Sequence, residues 1–295
     1  MGADGDCTVA PAVRTEAREP GDPVYTCRVT ILDQDEREIS LESDTYNARL
    51  VRRVDETDDL AYFWVKYDGD PVAFSPGQYM TIGVYADGKL VQRPYSVASP
   101  PRESGDGGYE FYVRLVPVMR FTTLLWRLPV GHGMRMIGPK GKFVLEPDDD
   151  RTHLYVSTGT GIAPFISMVR DTMDTPRKTV MLHGCSYADE LGYREVIEGW
   201  EQGGAYPIRY VPTISRPGDP RNAEWTGRTG RVEAVVESVC HDLSLRADRT
   251  VVYICGNPEM ILNVERVLMD RGFPEFHVKK ELYWPKGKQV TVPGG

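Results

Sequence analysis

The pattern of strands predicted from the sequence changes near residue 148, and this change constrains the fold more than any other feature. Before it, short segments rich in β-branched and aromatic residues recur about every ten to twenty residues, separated by turns such as SPG and SGDGG. After it, short apolar strands alternate with helix-like runs. Antiparallel strands joined by turns and parallel strands joined by helices are different architectures, so the 295 residues predict two domains.

The first domain is predicted to be an antiparallel β-barrel over residues 46–148. Several short strands separated by Gly, Pro and Asp turns are typical of such barrels. A helix is predicted over residues 121–128, with the sequence FTTLLWRL. The strand candidates are NARLVRRV, LAYFWVKY, QYMTIGVY, QRPYSVAS, GYEFYVRLV and MRMIGP.

The second domain, residues 149–284, is predicted to be an α/β domain with a parallel sheet. Its strand candidates are HLYVSTG, KTVMLHG, PIRYVPTI and TVVYICG. Helix-like runs lie between or after them, at about 163–174, 189–202, 231–240 and 258–271. Buried strands that alternate with helices imply crossover connections, and ligands of such sheets bind beyond the carboxyl ends of the strands. Residues 1–45 are predicted to be a poorly ordered leader, and residues 285–295 a C-terminal tail.

Composition excludes several classes of protein. No apolar run is long enough to cross a membrane, and the N-terminus lacks a signal-peptide pattern, so a cytoplasmic location is expected. The net charge of -8, from 43 acidic and 35 basic residues, disfavours nonspecific nucleic-acid binding. The five cysteines are scattered and show no metal or cluster spacing, and the five histidines form no His-x-x-x-His pair. No metal site is predicted.

The segment QRPYSVASPP places a cation and an aromatic ring on one strand. Arg93 and Tyr95 are two residues apart on the predicted strand, so their side chains share a face, whereas that of Ser96 points to the other side. A cation beside an aromatic plane suits a ligand with an anionic group and a flat ring. An ordinary edge strand remains the alternative, because Pro94 lacks an N–H and is tolerated at an edge.

Three motifs follow strands of the second domain. Gly159-Thr160-Gly161 precedes a helix, which suits a pyrophosphate at the helix N-terminus, although a plain strand-to-helix turn is the alternative. The segment TISRPGDP sets a serine beside an arginine, a pair suited to the 2′-phosphate of NADP or to an ordinary loop. Cys255 ends the strand YIC, either as a small core residue or at the ligand edge.

Four motifs in this order, RPYS, GTGIAP, CGNPEM and ELYW, resemble the bacterial type of the ferredoxin:NADP(+) reductase family over about residues 46–284. The resemblance implies FAD and NADP(H) as cofactors. The expected FAD-binding residues are Arg93, Pro94, Tyr95, Ser96, Thr122, Tyr283 and Trp284. The expected NADP-binding residues are Gly159, Thr160, Gly161, Ser215, Arg216, Arg231, Cys255 and Gly256.

The resemblance also implies roles for particular side chains. Ser96 lies near the flavin atom that exchanges hydride, Cys255 beside the nicotinamide, and Glu281 supplies a carboxylate near the reacting centre. Tyr283 covers the second flavin face and yields its place to the nicotinamide. Ser186 occupies a position where some relatives have an arginine for NADP, which leaves the choice between NADP and NAD open.

The expected activity is hydride transfer between NADP(H) and FAD, with single electrons passed to or from a ferredoxin or flavodoxin by a monomer. One alternative is the reductase component of an oxygenase, or a cytochrome b5 reductase-like enzyme. Another is a non-catalytic flavin-binding regulator, since a fold alone does not guarantee activity. The candidate cations for docking an acidic partner are Arg52, Arg53, Lys279, Lys280, Lys286 and Lys288.

Overall fold

The computed structural model describes residues 37–117, 119–146 and 150–281. Within these residues the chain forms two six-stranded sheets, the first antiparallel and the second parallel. The predicted architecture is therefore confirmed: an antiparallel domain precedes a parallel α/β domain. The segment at the C-terminal end of the chain, which includes Tyr283 and Trp284, lies outside the described residues.

The first sheet has the strand order β4-β3-β6-β1-β2-β5. Its strands are β1 Ala48–Asp55, β2 Leu60–Tyr67, β3 Tyr79–Ala86, β4 Lys89–Ser96, β5 Tyr109–Arg114 and β6 Gly133–Lys140. The helix α1, Arg120–Arg127, lies between β5 and β6 and buries Phe121 in the core of this sheet. The six strand candidates and the helix of the first domain are all present.

The two outer strands of this sheet approach each other and close it into a barrel-like shape. The chain just beyond β4 meets β5, where the Ala98 N–H donates to the Glu110 C=O at 2.8 Å. On β2, alternate side chains face opposite sides: Phe63 and Val65 fill the barrel core, whereas Leu60 and Tyr62 pack towards the second sheet. This alternation gives the barrel one interior face and one face for the second domain.

Part of the predicted leader is attached to the barrel. Ile39 bridges Ala86 at the end of β3 and packs against the barrel core. The Ser40 N–H donates to the Tyr85 C=O at 3.0 Å. Residues 37–45 therefore differ from the expectation of a poorly ordered leader, because backbone pairing and one apolar side chain hold them, while residues 1–36 lie outside the described part.

The second sheet has the strand order β10-β9-β8-β7-β11-β12. Its strands are β7 Thr152–Thr158, β8 Thr179–Cys185, β9 Ile208–Ile214, β10 Arg228–Thr229, β11 Thr250–Cys255 and β12 Val278–Glu281. The helices are α2 Ala163–Asp171, α3 Arg194–Gly203, α4 Val232–Asp242 and α5 Pro258–Asp270. Helices α4 and α5 cover one face, while α2 and α3 lie with the barrel on the other.

Two local features differ from the sequence prediction. The helix expected at about 189–202 begins only at Arg194, because Tyr193 has a left-handed backbone with φ of 62°. Gly192 lies against the barrel there, where a Cβ would be 2.3 Å from the Tyr112 hydroxyl. Neither edge strand of the second sheet was predicted, because the short polar segments RT of β10 and VKKE of β12 carry no apolar run.

Among the described residues, no helix is both long enough and apolar enough to span a bilayer.

Candidate functional site

The strand β4 presents Arg93 and Tyr95 on one face, as the spacing predicts. Tyr95 pairs with Met80 and Arg93 with Ile82, two alternate positions of β3 whose side chains belong to the barrel core. Tyr95 is half-buried, and its ring lies 5.9 Å from the ring of Phe121. Burial raises the pKa of the Tyr95 phenol and the Arg93 cation lowers it less, so the phenol stays neutral at physiological pH.

The other two positions of this motif differ from that pair. Ser96, the last residue of β4, is buried and lies opposite Tyr79. Pro94 pairs with Thr81 and therefore faces away from Arg93 and Tyr95.

The guanidinium of Arg93 is exposed and available to an anion. Its described hydrogen bond goes to the C=O of its neighbour Gln92 at 2.8 Å, and no described carboxylate forms an ion pair with it. The first turn of α1 lies beside Tyr95 and has no side-chain cap at Met119. A free guanidinium and an uncapped helix N-terminus on one side of the barrel fit a pyrophosphate next to an aromatic ring.

The hydroxyl of Thr122 is turned into the protein. Its Oγ1 donates to the Val116 C=O at 3.0 Å and accepts the Val116 N–H at 3.1 Å. The side chain is almost fully buried. The first turn of α1 has no side-chain cap, so its backbone N–H groups are left for an anion, and a phosphate contact by Thr122 itself remains a prediction.

The glycines of the second domain serve two different purposes. Gly159 has a φ of +51° and open space around its missing Cβ, which leaves room for a ligand above the turn. At Gly161, in contrast, a Cβ would be 2.5 Å from the Cys255 C=O. At Gly256, with φ of +139°, a Cβ would be 2.4 Å from Thr158 Oγ1. These last two glycines let the turn after β7 pack against the turn after β11.

The turn Gly159–Ile162 leads directly into α2, Ala163–Asp171. Pro164 stands in the first turn of this helix, where its missing N–H costs nothing and its fixed φ favours the helix. Thr160 lies within the turn. No side chain caps the start of the turn at Thr158, so its backbone N–H groups suit an anion.

His183 supports this turn, and sequence reasoning missed it. The ring is fully buried, with Nε2 at 3.1 Å from the Gly159 C=O and Nδ1 at 3.1 Å from the Tyr210 hydroxyl. A carbonyl can only accept, so Nε2 carries the proton and the Tyr210 O–H donates to Nδ1. Burial lowers the pKa of His183 to about 4, although the bond to Gly159 raises it. The signal in the sequence is a histidine inside an otherwise apolar strand, MLHG.

A row of side chains crosses the second sheet near its carboxyl edge. Ser157 of β7 lies opposite His183 of β8 and Cys255 of β11, and Cys255 lies opposite Glu281 of β12. Residues in register on neighbouring parallel strands share a face, so these four side chains point the same way. Cys255 belongs to the buried cluster that includes Ala98 of the barrel, so this face looks towards the first domain.

Burial gives this row its electrostatic character. Cys255 and Ser157 are fully buried, and the Ser157 hydroxyl has no hydrogen-bond partner among the described residues. Glu281 is half-buried, and desolvation raises the pKa of its carboxyl group. The structure therefore brings together Cys255 and Glu281, two of the residues predicted for the reacting centre.

The residues predicted for a 2′-phosphate also meet at this edge. Ser215 follows β9, and its N–H donates to the Cys185 C=O at 2.9 Å. Gly230 donates to the Ile214 C=O at 2.8 Å, which places Arg231 beside Ser215. Ser215 is half-buried, and Arg231 is exposed.

Tyr187 joins this group, although the sequence did not single it out. The Arg216 guanidinium donates to the Tyr187 hydroxyl at 2.8 Å and lies 5.4 Å from its ring. Arg221 lies 4.1 Å from the same ring, but it is neutralised by Asp189 at 2.8 Å. Among the described carboxylates none pairs with Arg216, which leaves this cation for an anionic ligand.

Most predicted docking cations are already engaged within the chain. Arg53 pairs with Asp55 at 2.7 Å, and the Arg52 guanidinium lies 4.4 Å from the centre of the Trp64 ring. Lys279 and Lys280 pair with Glu146 and Glu265, respectively. Lys286 and Lys288 lie outside the described residues.

Two protein families match the two parts of the chain. The family described as "Oxidoreductase FAD-binding domain" matches residues 47–145. The family described as "Oxidoreductase NAD-binding domain" matches residues 155–266. The first match contains Arg93 and Tyr95, and the second contains the Gly159–Ile162 turn and Cys255.

Similar proteins include reductases of two kinds. Ferredoxin–NADP reductase B of Sorangium cellulosum is 31% identical over 221 residues, which cover 73% of this chain and 88% of that protein. Reductase component 2 of terephthalate 1,2-dioxygenase from Comamonas sp. is 31% identical over 74% of this chain, which spans 62% of that protein.

A solved structure shares the fold. The ferredoxin NADP+ reductase from Neisseria gonorrhoeae, with bound FAD and NADP, superposes with a TM-score of 0.69 at 21% identity. The superposition covers 81% of this chain and 99% of the other.

Proposed function

Because the chain belongs to the ferredoxin–NADP reductase family of flavoenzymes, with an FAD-binding and an NAD(P)-binding domain, we propose that it transfers hydride between NADP(H) and FAD. We further propose that it exchanges single electrons with a ferredoxin or flavodoxin. The observation that carries the proposal is the face shared by Cys255 and Glu281, which looks towards the barrel that presents Arg93 and Tyr95.

The residues on the barrel bind and orient one cofactor. The guanidinium of Arg93 and the first turn of α1 hold the pyrophosphate of FAD, since both offer donors to an anion and neither is neutralised by a described carboxylate. The half-buried ring of Tyr95 packs against the flat ring system. Ser96, buried at the end of β4, orients the reactive edge of that ring with its hydroxyl.

The residues of the second domain bind and orient the other cofactor. The turn beginning at Gly159 cradles the pyrophosphate of NADP(H), while Ser215, Arg216 and Arg231 surround the 2′-phosphate. Cys255 lies beside the nicotinamide; its side chain is fully covered in this structure, so the contact requires the covering groups to move.

When bound, NADPH supplies a hydride and FAD accepts its two electrons, which leave one at a time. The protein contributes alignment, exclusion of water and electrostatic tuning. Cys255, whose side chain is fully buried, contributes an apolar wall to the site. Glu281 places its carboxyl group near the reacting atoms, and burial raises the pKa of this group. Roles for Tyr283 and Trp284 at the second flavin face stay predictions, as do the domain boundaries, a monomeric state and a cytoplasmic location.

A reductase that serves an oxygenase is the second candidate. The relation to the terephthalate dioxygenase reductase component favours it, although this chain spans 62% of that protein. The described cysteines, 185, 240 and 255, are free and buried, and the described residues contain no group of three potential metal ligands. Rates with isolated ferredoxin, flavodoxin and cytochrome acceptors would separate the two candidates.

The test of the main proposal is the visible spectrum of the purified protein, followed by anaerobic mixing with NADPH and, separately, NADH. A flavin band that NADPH bleaches faster than NADH supports both cofactor sites. A colourless protein that takes up no added FAD would refute the proposal, and equal bleaching by both nucleotides would refute the 2′-phosphate site. In a matched pair on β4, Arg93→Gln weakens FAD binding, whereas the exposed Lys89→Gln leaves it unchanged.

A further inference from the structure

The segment that follows Ser96 is fixed to the barrel by backbone and side-chain bonds. The Ala98 N–H donates to the Glu110 C=O at 2.8 Å, and the Glu110 N–H donates to Ser99 Oγ at 3.1 Å. Ser99 is 1% exposed. The position of Ser96, three residues before Ser99, is therefore tied to β5.

The same segment is held from the second domain. Ser167 of α2 donates through its hydroxyl to the Ser99 C=O at 2.7 Å. Arg170, one turn further along α2, donates to Glu110 Oε2 at 2.6 Å. The Ser167 contact joins a helix that begins at the nucleotide turn to the segment that follows the RPYS motif, and the Arg170 contact joins the same helix to β5. Ser99, Glu110, Ser167 and Arg170 together are called the bridging cluster.

Glu110 is the centre of the bridging cluster. Its side chain is only 5% exposed, and its second oxygen, Oε1, accepts the Tyr193 hydroxyl at 2.7 Å. The Arg170 guanidinium also lies 5.6 Å from the Tyr193 ring. Taking a carboxylate and a guanidinium out of water is costly, and apolar residues of similar volume often stabilise a protein as well or better. A buried pair that joins two domains is thus better explained by geometric specificity than by stability.

We propose that the bridging cluster sets the distance between the flavin held by the barrel and the nicotinamide held by the second domain, so that its four members are positioning residues for hydride transfer. The inference rests on the proposed function. It follows from connectivity: one end of the cluster is three residues from Ser96, and the other is in the helix that the Gly159–Ile162 turn begins.

The proposal predicts that loss of a contact in the bridging cluster changes the rate of hydride transfer but not the affinity for the cofactors. None of the four side chains is among those assigned to FAD or NADP(H), so loss of one contact leaves the affinity for each cofactor nearly unchanged. Hydride transfer requires the reacting atoms at about 3–3.5 Å, and a displacement of about 1 Å can slow such a reaction about a hundredfold.

The test uses Ser167→Ala in the full-length FAD-loaded protein. This change removes one hydroxyl from a fully buried position and leaves the Ser99 C=O without its described cross-domain donor. The matched control is Ser238→Ala in α4, whose hydroxyl donates to the Val235 C=O at 2.9 Å and accepts from Arg228 at 2.8 Å, both within the second domain. Flavin bleaching at saturating NADPH, measured by rapid mixing, should slow at least about tenfold in Ser167→Ala and stay unchanged in Ser238→Ala.

Two further measurements separate positioning from general loosening. The dissociation constant for NADP+ should stay within about twofold of the wild-type value, since an affinity loss would instead indicate a binding role. The rate of hydrogen exchange at the Ala98 amide, measured without cofactor turnover, should be higher in Ser167→Ala than in wild type. For Arg170, Lys keeps the cation beside Glu110, so Arg170→Lys should retain more of the rate than Arg170→Met.

The outcomes are distinguishable. A slower hydride step with unchanged NADP+ affinity and faster exchange at Ala98 supports the inference. A wild-type rate in Ser167→Ala, or a rate loss matched by the affinity loss, overturns it while the proposed function stands. A wild-type protein whose flavin NADPH does not bleach overturns the proposed function, and the positioning role with it.

Discussion

Replacing His183 by glutamine should remove part of the pH dependence of stability. The imidazole is fully buried between the Gly159 C=O and the Tyr210 hydroxyl. Burial lowers its pKa to about 4, whereas a histidine in an unfolded chain has a pKa of about 6.5. Between these values the unfolded chain binds a proton that the folded protein does not. The free energy of unfolding therefore falls as the pH drops from about 6.5 towards 4, and the contribution is fully present at neutral pH.

The magnitude follows from the two pKa values. From pH 7.5 to pH 5, a group with these pKa values lowers the free energy of unfolding by about 2 kcal/mol, and by about 3 kcal/mol if the pH reaches 4. Glutamine can still donate to the Gly159 C=O but does not titrate. The difference in free energy of unfolding between wild type and His183→Gln should thus decrease by about 2 kcal/mol over this range.

The assay is urea unfolding followed by circular dichroism at several pH values between 7.5 and 5. Carboxylates titrate in both proteins, so their contribution cancels in the difference. A difference between wild type and His183→Gln that stays constant from pH 7.5 to 5 would refute the argument.

Four further predictions concern three residues of the site and one glycine of helix α3. Arg216→Gln should lower kcat/KM for NADPH about ten- to hundredfold, the equivalent of a charged hydrogen bond, and leave kcat/KM for NADH unchanged; equal losses would exclude a 2′-phosphate contact. Gly256→Ala should lower the free energy of unfolding by about 2 kcal/mol, because its φ is +139° and a Cβ would be 2.4 Å from Thr158 Oγ1. Gly199 lies in α3 with open space around its missing Cβ, so Gly199→Ala should raise the free energy of unfolding by about 1 kcal/mol. Thermal melts in which Gly199→Ala and Gly256→Ala have similar effects would contradict this reasoning. Burial raises the pKa of Glu281, so its ionisation destabilises the folded protein as the pH rises past the ordinary carboxyl range. The stability of Glu281→Gln should therefore increase relative to wild type from pH 4 to 8, while flavin bleaching slows. A decrease in its relative stability over this range would show that the sign of the pKa shift is wrong.

The architecture was predictable because its signal is local. Strand candidates such as LAYFWVKY are separated by short turns in the first domain, whereas those such as TVVYICG alternate with helices in the second. The structure has strands at both segments. Arg93 and Tyr95 share a face for the same reason, since strand periodicity alone places residues two apart on one side. The start of α3 was not predictable, because Gly192 packs against Tyr112 of the other domain and the next residue, Tyr193, has a left-handed backbone, and no local pattern records that contact.

The candidate site shows where local reasoning ends. Glycines 159, 161 and 256 read alike in the sequence, yet only the first has open space for a ligand, and the other two allow close packing of neighbouring turns. Sequence reasoning did not single out His183, and the structure places it against the carbonyl of the nucleotide turn.

The sequence by itself determined the two sheet types, their order along the chain and the residue types available to an anion and an aromatic ring, because periodicity and turn chemistry act over a few neighbouring residues. Only the tertiary structure decided which of those residues meet. The row from His183 to Glu281 depends on the register of four strands, and the link from Ser99 to Ser167 depends on the packing of two domains. Register and packing are fixed by contacts between residues far apart in the chain, and no local pattern records them.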